Sequence, residues 1–358
     1  MTGEVVYLFA FDVGYDIIRA RVGSILGRKP HALDIRRDHT SPRDVALYQP
    51  LAMNPDFSVK AAGLPFRLHV RVYDVGVVSV LFCVPVAANA LTDLIPFHRL
   101  KLDDGRDVGT AAREVCGQVV ADLGTAIVKP APVTDPEAYT VFSLTDLGGP
   151  RDVPKWFAAH SVEIAGLLND IAPERLAEAQ VVESLRHQQS FEKTDLVVVD
   201  WDAALVVDLT GYVDDVVFVL EQANLQLEEF RVMDAALDGY LTTAYGLMEE
   251  RQWFAIGRPT KVLRQLRGLS VDLAKLADEV THITKFLGDW YLARVYLSAR
   301  ERFHLNQWRA SVSHRLQQLE TLYGVVRSEV SERRMLWLEA IIMVFFAIDI
   351  LALFLLRR

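Results

Sequence analysis

The stretch FRLHVRVYDVGVVSVLFCVPV, residues 66–86, reads as two β-strands joined by a turn. Runs rich in Val, Phe and Leu flank Asp74, Val75 and Gly76, where the chain can reverse. Towards the N-terminus, Glu4 to Asp12 is a further β-rich run, and Tyr15 to Leu26 has helical spacing. Towards the C-terminus, helical patterns cover about 89–101 and 107–128, with Pro130 and Pro132 ending the second. EAYTVFSL (137–144) is strand-like, and helices follow at about 153–169 and 173–188, the second entered through Pro173. DLVVVDWDAALVVD (195–208) repeats the hairpin signature around Asp200, Trp201 and Asp202. Strands and helices alternate without a regular βαβ rhythm. Residues 1–210 are therefore expected to form an α+β domain, one sheet with helices packed against it, rather than a doubly wound parallel sheet.

From Gly211 the strand signals stop, and 211–334 reads as a long all-α helical hairpin or coiled-coil stalk. A first helix covers about 212–250 and is interrupted by Gly257 and Pro259. A second covers about 260–296. Its Leu266, Leu269, Leu273, Leu276, Val280, Ile283, Leu287 and Trp290 recur in alternating steps of three and four. That seam can pack within one chain or join subunits. Ser298 and Glu301 have capping-box spacing for a third helix, which continues into the terminal segment.

Met335 to Leu356 is 22 residues long, and only Glu339 and Asp349 in it are not apolar. A helix of that length reaches about 33 Å, enough for a hydrocarbon core of about 30 Å. Fourteen of its positions are Leu, Ile, Val or Phe. The spacing predicts one C-terminal transmembrane helix over 335–356, a tail anchor that keeps the preceding residues on the cytoplasmic side of a membrane. Arg333, Arg334, Arg357 and Arg358 bracket it. Glu339 lies one turn inside, within reach of an interface. Asp349 has no basic residue within two turns, so an oligomer contact or an ion path is expected of it. The N-terminal MTGEVVYLFAFD has no basic leader region and reads as a strand rather than a signal peptide.

Half the residues are apolar and the net charge is −9, which excludes a chain-wide basic footprint for nucleic acid. Cys83 and Cys116 lack metal-ligand or redox spacing and read as small buried hydrophobes. GSILGRKP (23–30) lacks the phosphate-loop order, and no metallohydrolase or nucleophile-elbow motif occurs. His160 and Glu163 share a helical face as a surface pair. Asp195, Asp200, Asp202 and Asp208 crowd one hairpin and would bind a cation only if they converged. No catalytic set, cofactor or metal is expected.

The ending RRMLWLEAIIMVFFAIDI, with Arg334, Leu338, Glu339, Ile341 and Ile342 at the entry to the apolar helix, resembles the required-for-meiotic-nuclear-division family. YDVGVVSVLF (73–82) resembles a Gly-Val-Val strand of the same family. The resemblance implies an oligomeric, membrane-anchored scaffold and brings no catalytic residues. From the heptads, the anchor and the absence of catalytic motifs, the expected function is a non-enzymatic, membrane-tethered scaffold that oligomerises through its stalk and presents the α+β domain to a cytoplasmic protein partner. The alternatives are an ion-conducting or sensing assembly with Asp349 on a shared axis, and an enzyme whose pocket is assembled from several strands.

Overall fold

The computed structural model describes residues 1–25, 31–32, 50–53, 60–61, 63–149, 152–210, 213–249 and 290–356. Along the chain these form β1 (Thr2–Asp12), β2 (Gly14–Ile17), α1 (Arg19–Ile25), β3 (His31–Ala32), β4 (Leu51–Met53), β5 (Lys60–Ala61), β6 (Leu64–Pro65), β7 (Arg67–Tyr73) and β8 (Val77–Ala87). There follow α2 (Val108–Leu123), β9 (Ile127–Pro130), β10 (Glu137–Asp146), α3 (Val153–Ala159), α4 (Ser161–Leu168) and α5 (Glu178–Ser184). The last elements are β11 (Gln188–Gln189), β12 (Asp195–Val199), β13 (Ala203–Asp208), α6 (Val213–Glu249), α7 (Trp290–Arg302) and α8 (Leu305–Leu356). Two compact units result, Met1–Val232 with Glu279–Trp308, and Met233–Asp278 with Arg309–Arg358.

The first unit is built on a nine-stranded mixed sheet in the order β11-β12-β13-β10-β1-β8-β7-β4-β3. The opening stretch is its hairpin: β7 and β8 pair antiparallel from Arg67↔Cys83 to Tyr73↔Val77. β8 then pairs with β1 along eleven residues. Among the described residues, β10 with β13 is the only parallel pairing of the sheet, a mixed sheet with antiparallel pairs in the majority. β1 is buried from Val5 to Phe11 without a break. Such a run requires both faces of the sheet to be covered, since one wet face would alternate apolar with polar. Val5, Tyr7, Phe9 and Phe11 join the main core with α2, whose buried Val108, Ala111, Ala112, Val115, Val119 and Leu123 recur at helical spacing. On the opposite face Ala10, Tyr73 and Val77 pack with Leu225 of α6.

Several sequence-based boundaries shift for local reasons. The pattern at 15–26 is half strand, because β2 pairs with β9. The helix expected to reach 128 stops at Leu123, where Gly124 turns the chain with φ +43°. The pattern at 89–101 is a 3₁₀ helix, Leu91–Arg99, with Pro96 inside. The helix expected over 153–169 breaks at His160 into α3 and α4. The Ser298–Glu301 capping box does not form. Ser298 is buried inside α7, and the helix instead ends at Arg302, before His304 with φ +53°. Of the expected seam, Leu266, Leu269, Leu273, Leu276, Val280, Ile283 and Leu287 lie outside the described residues.

In the second unit, α6 and α8 pair with their chains running the same way. Asp234 meets Ser311 (3.2 Å) and Arg315 (2.9 Å), and Asp238 meets Arg315. Leu237, Leu241, Val312 and Leu319 are buried.

The expectation of a transmembrane helix over 335–356 is corrected. Among the described residues, no helix is long and apolar enough to cross a membrane. The residues form the end of the 52-residue α8, and Glu339 and Asp349 interrupt their apolar run.

Candidate functional site

The most unusual local chemistry is a layer of polar side chains under α6. From Leu220 to Phe230 the helix is buried on every side, although Glu221, Gln222, Asn224, Gln226, Glu228 and Glu229 lie within that span. Burying such groups is costly unless each finds a partner, and the sheet supplies several. In β7 the side chains alternate, so that Val70 and Val72 enter the main core while Tyr73 packs on the α6 face. Arg71, in step with Tyr73, pairs with Glu221. Tyr73 Oη donates to Glu221 Oε1 (3.0 Å), and Gln222 Nε2 donates to Tyr73 Oη (2.9 Å). The guanidinium lies over the Phe218 ring, 5.6 Å from its centroid, and Arg71 Nε has no hydrogen-bond partner among the described residues. Burial, the largest single influence, would lower the Arg71 pKa, but Glu221 and Tyr73 together outweigh it and raise the pKa. Tyr73 is pushed well up by burial and by the same carboxylate.

About two to three helical turns further along, two carboxylates meet one guanidinium and a third lies near Glu228. Arg231 pairs with Glu137 at the start of β10 and lies 3.6 Å from Glu228. Asn224 Nδ2 donates to the Glu137 carbonyl (3.1 Å). Asp12, at the end of β1, contributes the third carboxylate. Burial pushes Asp12 up to about 6. It pushes Glu228 up to about 7, with Arg231 opposing and Glu137 and Asp12 adding to the rise. Both groups bind a proton more tightly folded than unfolded. Their stabilisation is complete below the ordinary carboxylate pKa and is lost as pH rises through about 6 and about 7. Denaturant unfolding at pH 5 to 8 should show stability falling with pH. Glu228→Gln should remove up to about 3 kcal/mol of that fall. A variant with the wild-type slope would assign the pH dependence to other groups.

The second hairpin also carries a buried charge. Asp200 accepts from Arg302 Nε (2.8 Å), from Asn169 Nδ2 (3.2 Å) and from the Trp201 amide (2.8 Å), while Arg302 Nη1 donates to Glu183 (2.9 Å). Burial and the neighbouring Asp200 push Asp202 up, while Asp195 and Asp208 have separate partners. Asp195 accepts from Tyr291 Oη (2.7 Å) and Asp208 from the Thr210 amide (2.7 Å). They do not converge. Among the described residues no group of three or more His, Cys, Asp and Glu could hold a metal ion. His160 and Glu163 are 4.0 Å apart and half-buried, with the imidazole stacked on Trp156.

Cys83 and Cys116 are buried, and burial pushes both thiols up to about 12. Neither should react with a maleimide at pH 7.5 in the folded protein, and both should react in denaturant. Labelling of the native chain would show that the core opens.

The remaining singled-out residues lie on helices. Trp290, the last seam position, begins α7 and is 57% exposed, with Phe191 edge-on to it at 5.6 Å and the Arg294 guanidinium 5.3 Å from its centroid. Glu339 and Asp349 stand exposed on α8. Around them the helix shows apolar side chains on all sides: Trp337, Ile342, Met343 and Phe346 are 64–72% exposed. The polar layer under α6 was not anticipated from the sequence. Its only signal is LEQANLQLEEF (220–230), where six polar residues spread over more than half of the helix circumference.

Sequence comparison places this architecture among known proteins. The uncharacterized protein MJ0711 of Methanocaldococcus jannaschii is 22% identical over 217 residues, which is 60% of this chain and 65% of that protein, so the match spans less than two thirds of the relative. No solved structure matches. The model of the N-terminal domain of uncharacterized protein MJ0711 matches residues 2–214. That span holds the sheet. With more than half of its length matched, the chain belongs to the family defined by that N-terminal domain.

Proposed function

We propose that the protein is a non-enzymatic scaffold that self-associates through helix α8 and presents its sheet domain to a protein partner. The observation that carries this reading is the bare apolar surface of Met335–Ile350. Twelve large apolar side chains there are 45–72% exposed. Together they offer on the order of 1,000 Å² of apolar area, against the 300–600 Å² of the largest patch on an ordinary monomer. Surface of that extent is stable when a partner covers it. The buried charges of the first unit support a structural role. Glu221, Asp200 and Asp195 are each engaged by side chains of the chain itself.

Two full-length copies carrying different tags, co-expressed and purified through one tag in mild detergent, should emerge together. Recovery of the captured copy alone would overturn the self-association.

A further inference from the structure

Along α6 the two charged joints with the sheet are built differently. The first is balanced: one carboxylate, Glu221, meets one guanidinium, Arg71, and both are largely buried. The second is not. Asn224, Glu228 and Arg231 are spaced by four and three residues and so leave the helix on one face. Beneath them Glu137 pairs in register with Ala10, and Asp12, two residues further along β1, stands on the same face of the sheet. Glu137 and Glu228 engage Arg231, and the Glu228 carboxylate accepts the Asp12 amide. Arg231 sits at the rim with its side chain 46% exposed, whereas that of Glu228 is 3% exposed. Water therefore screens the cation, while the innermost carboxylate is shut off from water near two others. Asp202 adds its charge from beyond Glu137. A proton on Glu228 removes the conflict, and burial with the Glu137 and Asp12 charges favours holding it there up to about pH 7.

We propose that this joint is a proton-operated latch: with a proton on Glu228, α6 lies on the ends of β1 and β10, and loss of that proton lets residues 224–232 lift from them while the Arg71–Glu221 joint holds. The groups that face Glu228 are Asp12 from β1, Glu137 from β10 and Arg231 from its own helix. Glu228 binds its proton more tightly in the closed state than in the open one. The latch is therefore fully closed below the ordinary carboxylate pKa and loosens as pH rises through about 7. Such opening is local, because the balanced joint two turns earlier carries no excess charge to release. The latch is independent of self-association through α8.

Amide hydrogen exchange of the full-length protein, followed by mass spectrometry at ~pH 6 and ~pH 8, tests this. Each rate is divided by that of the unfolded chain at the same pH, so that only the opening equilibrium remains. Protection of peptides within 224–232 should fall roughly tenfold or more between the two pH values, while that of β8 changes by less than about threefold. In Glu228→Gln, which keeps the shape of the side chain and cannot ionise, the fall within 224–232 should shrink to less than about threefold. An equal fall in α6 and β8 would mean that the whole unit opens together and would overturn the latch. So would pH-independent protection of 224–232 in the wild type, or an undiminished fall in Glu228→Gln.

Discussion

Replacing Glu221 by alanine is expected to destabilise the protein by about 3–5 kcal/mol, the range for removing one partner of a buried ion pair. Arg71 would keep its charge on a covered sheet face, with its Nε already lacking a hydrogen bond. Tyr73 Oη would lose its acceptor while still receiving Gln222. The cost comes from the group left behind rather than from the lost attraction. Arg71→Met with Glu221→Leu should therefore recover most of the loss, to within about 1–2 kcal/mol of wild type. Urea titration of the two single variants and the double variant checks this. A double variant as unstable as Glu221→Ala would show that the pair contributes net stability.

Gly76→Ala should be nearly as damaging, for a reason that lies in the backbone. Gly76 closes the β7–β8 hairpin with φ +88°, a conformation that costs a residue with a Cβ about 1–3 kcal/mol. A Cβ there would also stand 1.8 Å from the Gly14 carbonyl oxygen. The neighbouring strand start must shift, adding roughly 1–3 kcal/mol as in other overpacked sites. The Gly76 carbonyl accepts the Val13 amide at 2.9 Å, so the shift would strain the join between β1 and β2 as well. Thermal denaturation should show the loss. A melting temperature within a degree or two of wild type would contradict the close approach.

The parts of the fold legible in the sequence are those whose signal is local. Both hairpins announce themselves through β-branched runs around Gly76 and around Asp200–Asp202, and both form. The long helix from residue 213 is likewise visible in its lack of Gly and Pro until Gly239. The polar layer was not legible, because Arg71 and Glu221 are 150 residues apart and nothing local to either names the other. In the sequence, LEQANLQLEEF looks like a solvated helix. Only the second covered face of the sheet turns it into buried structure. At the C-terminus the apolar run was plain and so were its two acids, Glu339 and Asp349, but among the described residues no helix is long and apolar enough to cross a membrane.

Self-association through α8 is the central claim, and the molar mass of the full-length wild-type protein tests it most directly. Multi-angle light scattering in mild detergent, corrected for the bound detergent, should give a whole-number multiple of 40.2 kDa, two or more. A protein mass of 40.2 kDa that does not rise with concentration would contradict the account.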